Sequence, residues 1–134
     1  MSNRSVGNKF ETELCDKLAS NGFWAHCMKQ SAAGQPADVI CARNGEAWLI
    51  DCKVCEGTRF DFSRVEPNQY LAMRRWADTG NGSGWFAIKM KGEIYMLSMY
   101  DLERLENEGV KSLNWGDLTS VARLLGYWVW EVLQ

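Results

Sequence analysis

The 134 residues contain one histidine and two prolines. A lone imidazole, His26, rules out any mechanism that needs two histidines and leaves Ser/His or Cys/His catalysis resting on one ring. Its place in a short apolar stretch predicts a structural role. Few prolines and no Ser/Gly-rich linker leave no visible boundary, so one domain spanning 1–134 is expected. Internal repeats and low-complexity tracts are also missing. No apolar run approaches the roughly 20 residues needed to span a bilayer. The polar opening MSNRSVGNKFE predicts no export signal, and a cytoplasmic chain is expected. An odd cysteine count, five, predicts reduced thiols that serve as small core residues. A basic excess is absent too: the net charge is -2, not the usual footprint of a nucleic-acid binder.

The composition does support a packed interior, with 46% apolar residues and seven tryptophans, which excludes a disordered chain. The charge is unevenly spread. Residues 1–91 carry 12 Lys/Arg against 10 Asp/Glu, and residues 92–134 carry 3 against 7. A polyanionic partner is therefore expected on the first two-thirds.

Phe10, Leu14 and Leu18 recur at helical spacing, which predicts a helix over Val6–Asn21 stopped by Asn21-Gly22. Phe23–Met28 reads as a strand, Ser31–Pro36 as a loop, and Ala37–Arg43 and Glu46–Val54 as strands joined by Asn44-Gly45, a strong hairpin signal. A loop over 55–65 follows, then a helix over Glu66–Thr79 with Pro67 in its first turn. Strands are expected over Gly84–Met90 and Glu93–Ser98, a helix over Tyr100–Glu108, and finally a short helix and an extended apolar tail. This order predicts an α/β fold, a mixed sheet flanked by helices.

A two-residue turn sets the hairpin register. Arg43 faces Glu46, and counting outward Asp38 faces Asp51, with Cβ atoms about 4.5–5.5 Å apart. Two acids so placed require a proton or a cation. Alternation puts Lys53 on the Asp51 face with Ala47 and Leu49, and puts Trp48, Ile50 and Cys52 on the other. Such hard oxygen donors suit Mg²⁺. Glu11 shares the apolar stripe of Leu14, Cys15 and Leu18, an unusual place for a carboxylate unless something receives it. Glu13 lies off that stripe, where an ion pair with Lys17 is expected.

An acid on the first helix, then Asp38, then a hairpin to Asp51-Cys52-Lys53 resembles the PD-(D/E)XK nuclease superfamily. GNKFE (Gly7–Glu11) is similar to the opening of Holliday junction resolvases of the archaeal and RecU types. SAAG (Ser31–Gly34) resembles the small-residue loop of the archaeal type. Phe60–Trp76, Trp85–Leu102 and Leu125–Tyr127 resemble later segments of the RecU type. Here Ala37 stands between Pro36 and Asp38, Asp51 stands where these resolvases usually have Glu, and no stalk insertion fits between Lys29 and Asp38.

The resemblance implies a restriction-endonuclease-like core and a homodimeric endonuclease that nicks four-way DNA junctions with Mg²⁺ or Mn²⁺. Asp38, Asp51 and the Cys52 carbonyl would bind metal, and Glu11 would act through water or a second ion. Lys53 would orient the attacking water, and Gln69 would assist. Candidate phosphate contacts are Arg4, Lys9, Lys29, Arg59, Arg64, Arg74 and Arg75. A compact chain without a stalk suits a bacterial cell or its phage. A restriction- or repair-type nuclease on duplex DNA and a catalytically silent DNA-binding fold remain as alternatives. The Trp-rich tail, Tyr127–Trp130, has two readings, dimer interface or core. Cys52-x-x-Cys55 sends its thiols to opposite faces of a strand and carries no expected metal or redox role. Gly80-x-Gly82-x-Gly84 follows a helix, the wrong order for dinucleotide binding, and reads as a flexible loop.

Overall fold

The computed structural model describes the backbone of residues 3–28 and 35–134, with side chains from Val6 onward. Helix α1 (Asn3–Ser20) leads to strand β1 (Trp24–Cys27), then to the hairpin β2 (Val39–Arg43) and β3 (Glu46–Cys55). A short strand β4 (Arg59–Asp61), one 3₁₀ turn (Phe62–Arg64) and helix α2 (Pro67–Asp78) carry the chain to a second hairpin, β5 (Trp85–Met90) and β6 (Glu93–Ser98). Helix α3 (Met99–Asn107), β7 (Ser112–Asn114), α4 (Trp115–Val121), β8 (Arg123–Leu124) and α5 (Leu125–Val132) complete it.

The main sheet runs β1-β2-β3-β5-β6-β8, with β4 and β7 pairing separately. Strands β3 and β5 are parallel and the other neighbours antiparallel. A parallel neighbour requires a crossover, and the segment from β4 through α2 supplies it. Both hairpin turns take positive φ at two successive residues, Asn44 and Gly45 at 54° and 81°, Lys91 and Gly92 at 52° and 77°. That is the geometry whose twist matches the flanking strands.

Alternation along β3 divides the core in two. Trp48 and Ile50 pack with Phe10, Leu14 and Leu18 of α1 and with Trp128 of α5. Leu49 and Cys55 pack on the other face with Met73 of α2, Leu102 of α3 and Leu118 of α4. Cys52 and Cys55 therefore do point to opposite faces, and all five cysteines are free thiols.

Several expectations need correction. Residues 55–65 are not simply a loop. Phe60 is fully buried and pairs with Leu113, giving a small second sheet. The tail is helical rather than extended, because Leu125, Trp128, Val129, Val132 and Leu133 fall at helical spacing on its inner side. A continuous apolar run concealed that period. Within it, Trp128 is core, stacked near Phe23 and edge-on to Trp48 and Trp85, whereas Tyr127 and Trp130 are exposed. Glu13 pairs with Lys89 of β5 at 2.6 Å instead of with Lys17. Gly84 is no flexible residue: a Cβ there would stand 2.4 Å from Met73 Cγ, so α2 packs on bare backbone. His26 lies exposed on β1, stacked on Trp24.

Trp128 joins α5 to β3, to β5 and to the turn holding Phe23. Trp128→Ala is expected to lose about 3–5 kcal/mol of stability, read as a lower urea midpoint, whereas Trp130→Ala should stay within about 0.5 kcal/mol.

Candidate active site

The hairpin sets the site. The ladder runs in the expected register from Arg43↔Glu46 to Val39↔Ile50 and stops there, one position short of the expected Asp38–Asp51 pair. Asp38 ends the strand instead of extending it. Its main-chain N–H donates to the Ile50 carbonyl at 3.1 Å, and its carbonyl accepts from Met28 N–H at 2.8 Å. Its carboxylate then takes the place of the next main-chain acceptor, because Cys52 N–H donates to Asp38 Oδ2 at 2.7 Å. The Cys52 carbonyl leaves β3 on the same edge as that N–H, beyond the last ladder pair.

Asp51 is fully buried. Its Oδ1 accepts from Gln69 Nε2 at 3.1 Å. Its Oδ2 lies 3.1 Å from Lys53 Nζ but makes no hydrogen bond in good geometry. The Lys53 ammonium also donates to Gln69 Oε1 at 3.2 Å, and its side chain is only 12% exposed. Gln69 is anchored in turn: Glu66 N–H donates to the same Oε1 at 2.9 Å, part of a capping box that starts α2. Helix initiation and placement of the lysine thus share one side chain. Glu66 is not a usual N-cap residue, so the Glu66-x-x-Gln69 spacing lacks the standard capping signature, and the box is visible only in the structure.

Glu11 reaches the same place from the α1 layer. The Asp38 carboxylate acts on both Glu11 and Asp51. Burial first, and then the neighbouring Asp38 carboxylate, push Glu11 up to about 7. The same two causes push Asp51 well above the ordinary carboxylate range, against the opposing pull of Lys53. Among the described residues no three Asp, Glu, Cys or His side chains already form a cage. Asp38 is the shared neighbour of the other two acids. The oxygen-only donor set and the carboxylates crowded around the buried Asp51 fit a hard divalent cation.

A cleft of about 480 Å³, lined by Val6, Gly7, Cys52, Lys53, Val54, Glu56 and Arg64, opens beside Lys53. The candidate phosphate contacts are scattered. Arg64 donates to the Val54 carbonyl at 2.8 Å on the rim of that cleft. Arg59 donates to Ser112 Oγ at 2.7 Å, and Arg74 pairs with Glu103 at 2.7 Å, so the Arg74 charge is neutralised locally. Lys9 and Arg75 are exposed. The Arg4 side chain, Lys29 and the Ser31–Gly34 motif lie outside the described residues. Sequence reasoning missed Gln35, whose Nε2 donates to Asp38 Oδ1 at 2.5 Å; no motif marks it.

The family model described as archaeal Holliday junction resolvase (Hjc) matches residues 2–121. The crossover junction endodeoxyribonuclease Hjc of Methanocaldococcus jannaschii is 27% identical over 94 residues, 70% of this chain and 66% of that relative's length. The 1.6 Å structure of Hjc from Archaeoglobus fulgidus, a Holliday junction resolvase from an archaeal hyperthermophile, aligns with a TM-score of 0.72 at 16% identity. It covers 92% of this chain and 99% of its own, a likeness of fold.

Glu11 holds its proton more tightly folded than unfolded. The metal-free fold therefore binds extra proton between pH 4.5 and about 7, and loses stability as pH rises through that window. Glu11→Gln removes this loss. In EDTA, its melting temperature should match wild type near pH 4.5 and exceed it at pH 8. A constant difference across that range would contradict the assignment.

Proposed function

The chain belongs to the archaeal Holliday junction resolvase family, and from that premise we propose that it is a divalent-metal-dependent endodeoxyribonuclease that resolves four-way DNA junctions. The observation carrying this reading is the fully buried Asp51, held by Lys53 and Gln69 and crowded by Asp38. An acid kept at such cost in a core suits a group that a cation completes.

Asp38, Asp51 and the Cys52 carbonyl would hold Mg²⁺ or Mn²⁺, with Glu11 close enough to act through water or toward a second ion. When bound, the cation lowers the pKa of water and offsets charge on the phosphodiester. Lys53, fixed between Asp51 and Gln69, orients the attacking water and stabilises negative charge growing on the phosphate oxygens. Gln69 keeps the ammonium and Asp51 at a set separation. Arg64 beside the cleft, with Lys9 and Arg75 on the surface, supplies positive charge for the flanking backbone. Arg4, Lys29 and Arg59 complete the proposed set, from which Arg74, paired with Glu103, is left out.

Two symmetric nicks need two sites related by a two-fold axis, so we propose a homodimer. The exposed Tyr127 and Trp130 are available for its interface. Work on recombination intermediates would put the protein in the cytoplasm with the DNA. Among the described residues no helix is long and apolar enough to cross a membrane.

The test is Mg²⁺-dependent nicking of a mobile four-way junction against linear duplex of the same sequence. Wild type should cut the junction in paired, symmetric positions and spare the duplex. Lys53→Ala should reduce the rate about 10²–10³-fold. Asp38→Asn should retain the fold, since an amide oxygen can still accept from Cys52 N–H, but should not cleave. Equal cutting of both substrates would favour a duplex nuclease. Junction binding without cleavage by wild type would favour a silent binding fold.

A further inference from the structure

Gln35 stands three residues before Asp38 and is half-buried. Its Nε2 donates to Asp38 Oδ1, and Cys52 N–H donates to Oδ2, so each oxygen of this carboxylate has its own donor. A carboxylate held from both sides keeps one orientation. Each of its oxygens still has a second lone pair to offer.

The direction of the Gln35 amide is forced. A carboxylate that ligates a cation can only accept, so the amide edge facing Asp38 must be the NH₂ edge. The carbonyl Oε1 must then face away. There it is buried, and among the described residues it has no hydrogen-bond partner. A buried acceptor without a donor is costly and calls for an explanation. A DNA backbone does not supply one, because phosphodiester oxygens only accept. Lys53 is already committed to Asp51 and Gln69. Water in the hydration shell of a divalent cation on Asp38 is a strong donor; because the carbonyl is closed to solvent in the metal-free fold, receiving that bond requires the site to open as the hydrated ion enters.

We infer that Gln35 is a positioning residue of the metal site: its N–H fixes Asp38 in the ligating orientation, and its carbonyl receives a hydrogen bond from water in the hydration shell of the bound cation. This rests on the metal-site reading above and goes beyond it, because it assigns a role to a residue outside the acid–acid–lysine motif. Partners of this kind tune metal affinity without touching the ion.

The experiment is calorimetric titration of the DNA-free protein with Mn²⁺, for wild type, Gln35→Met, Gln35→Ala and Asp51→Asn, alongside melting curves in EDTA. Methionine matches the length of glutamine but can neither donate nor accept strongly. The expected result is Mn²⁺ binding weakened on the order of 10–100-fold in both Gln35 variants, with the metal-free melting temperature held at the wild-type value. Affinity unchanged in Gln35→Met and Gln35→Ala, with Asp51→Asn still abolishing binding, would overturn the role of Gln35 and leave the metal site standing. Affinity lost in step with a fall in metal-free stability would also overturn it, making Gln35 a purely structural residue. Binding equal in wild type and Asp51→Asn would overturn both.

Discussion

Asp38 accepts the Cys52 N–H with its side chain at the point where β2 parts from β3, and the site depends on that exchange. A strand that continued would offer a carbonyl there, and its side chain would project from one face of the sheet. Because Asp38 turns its carboxylate into the ladder position instead, the acid lies in the plane between the two helical layers. Glu11 then approaches from the α1 layer, and Asp51, Lys53 and Gln69 from the α2 layer. The hydrogen bond also satisfies an N–H that would otherwise be orphaned in a buried strand. One interaction closes the sheet and opens the site.

The same arrangement makes the metal-free protein electrostatically frustrated. Three carboxyl groups crowd one partly buried site, and among the described residues Lys53 is the cation paired there, with Asp51. Burial dominates the shifts of both Glu11 and Asp51, so the penalty comes mainly from lost hydration and only secondarily from mutual repulsion. A divalent ion relieves both terms together. Around this strained centre the molecule is conventional. The two apolar layers are dense, the hairpin turns are of the favoured hand, and α2 starts with a capping box. Gln69 connects these regimes. It belongs to the helix cap and to the lysine at once, so the position of α2 and the position of the ammonium cannot vary independently.

Much of this was legible before any coordinates. The Asn44-Gly45 turn, the sharing of a face by Asp51 and Lys53, and the emergence of Glu11 from the α1 stripe all follow from periodicities of 2 and 3.6. The misses have a common cause. The tail and the 55–65 segment depart from expectation because their local pattern permits two structures, and the choice falls to distant partners. Leu113 pairs with Phe60, and the Trp48–Trp85 face receives Trp128. Glu13 chose Lys89 over Lys17 because the Lys89 side chain reaches α1 from β5, over the Phe10 ring, which a helix considered alone does not reveal.

By itself, the sequence determined the hairpin, the register within it, the faces of β3 and the chemical identity of the acids and the lysine. These are local properties, set by turn geometry and by alternation along one strand. Only the tertiary structure decided that the ladder ends at Val39, that Gln69 and Gln35 join the acids, and that Arg74 spends its charge on Glu103. Each of those depends on residues brought together from separate elements, and long-range packing is not encoded in any short window of the chain.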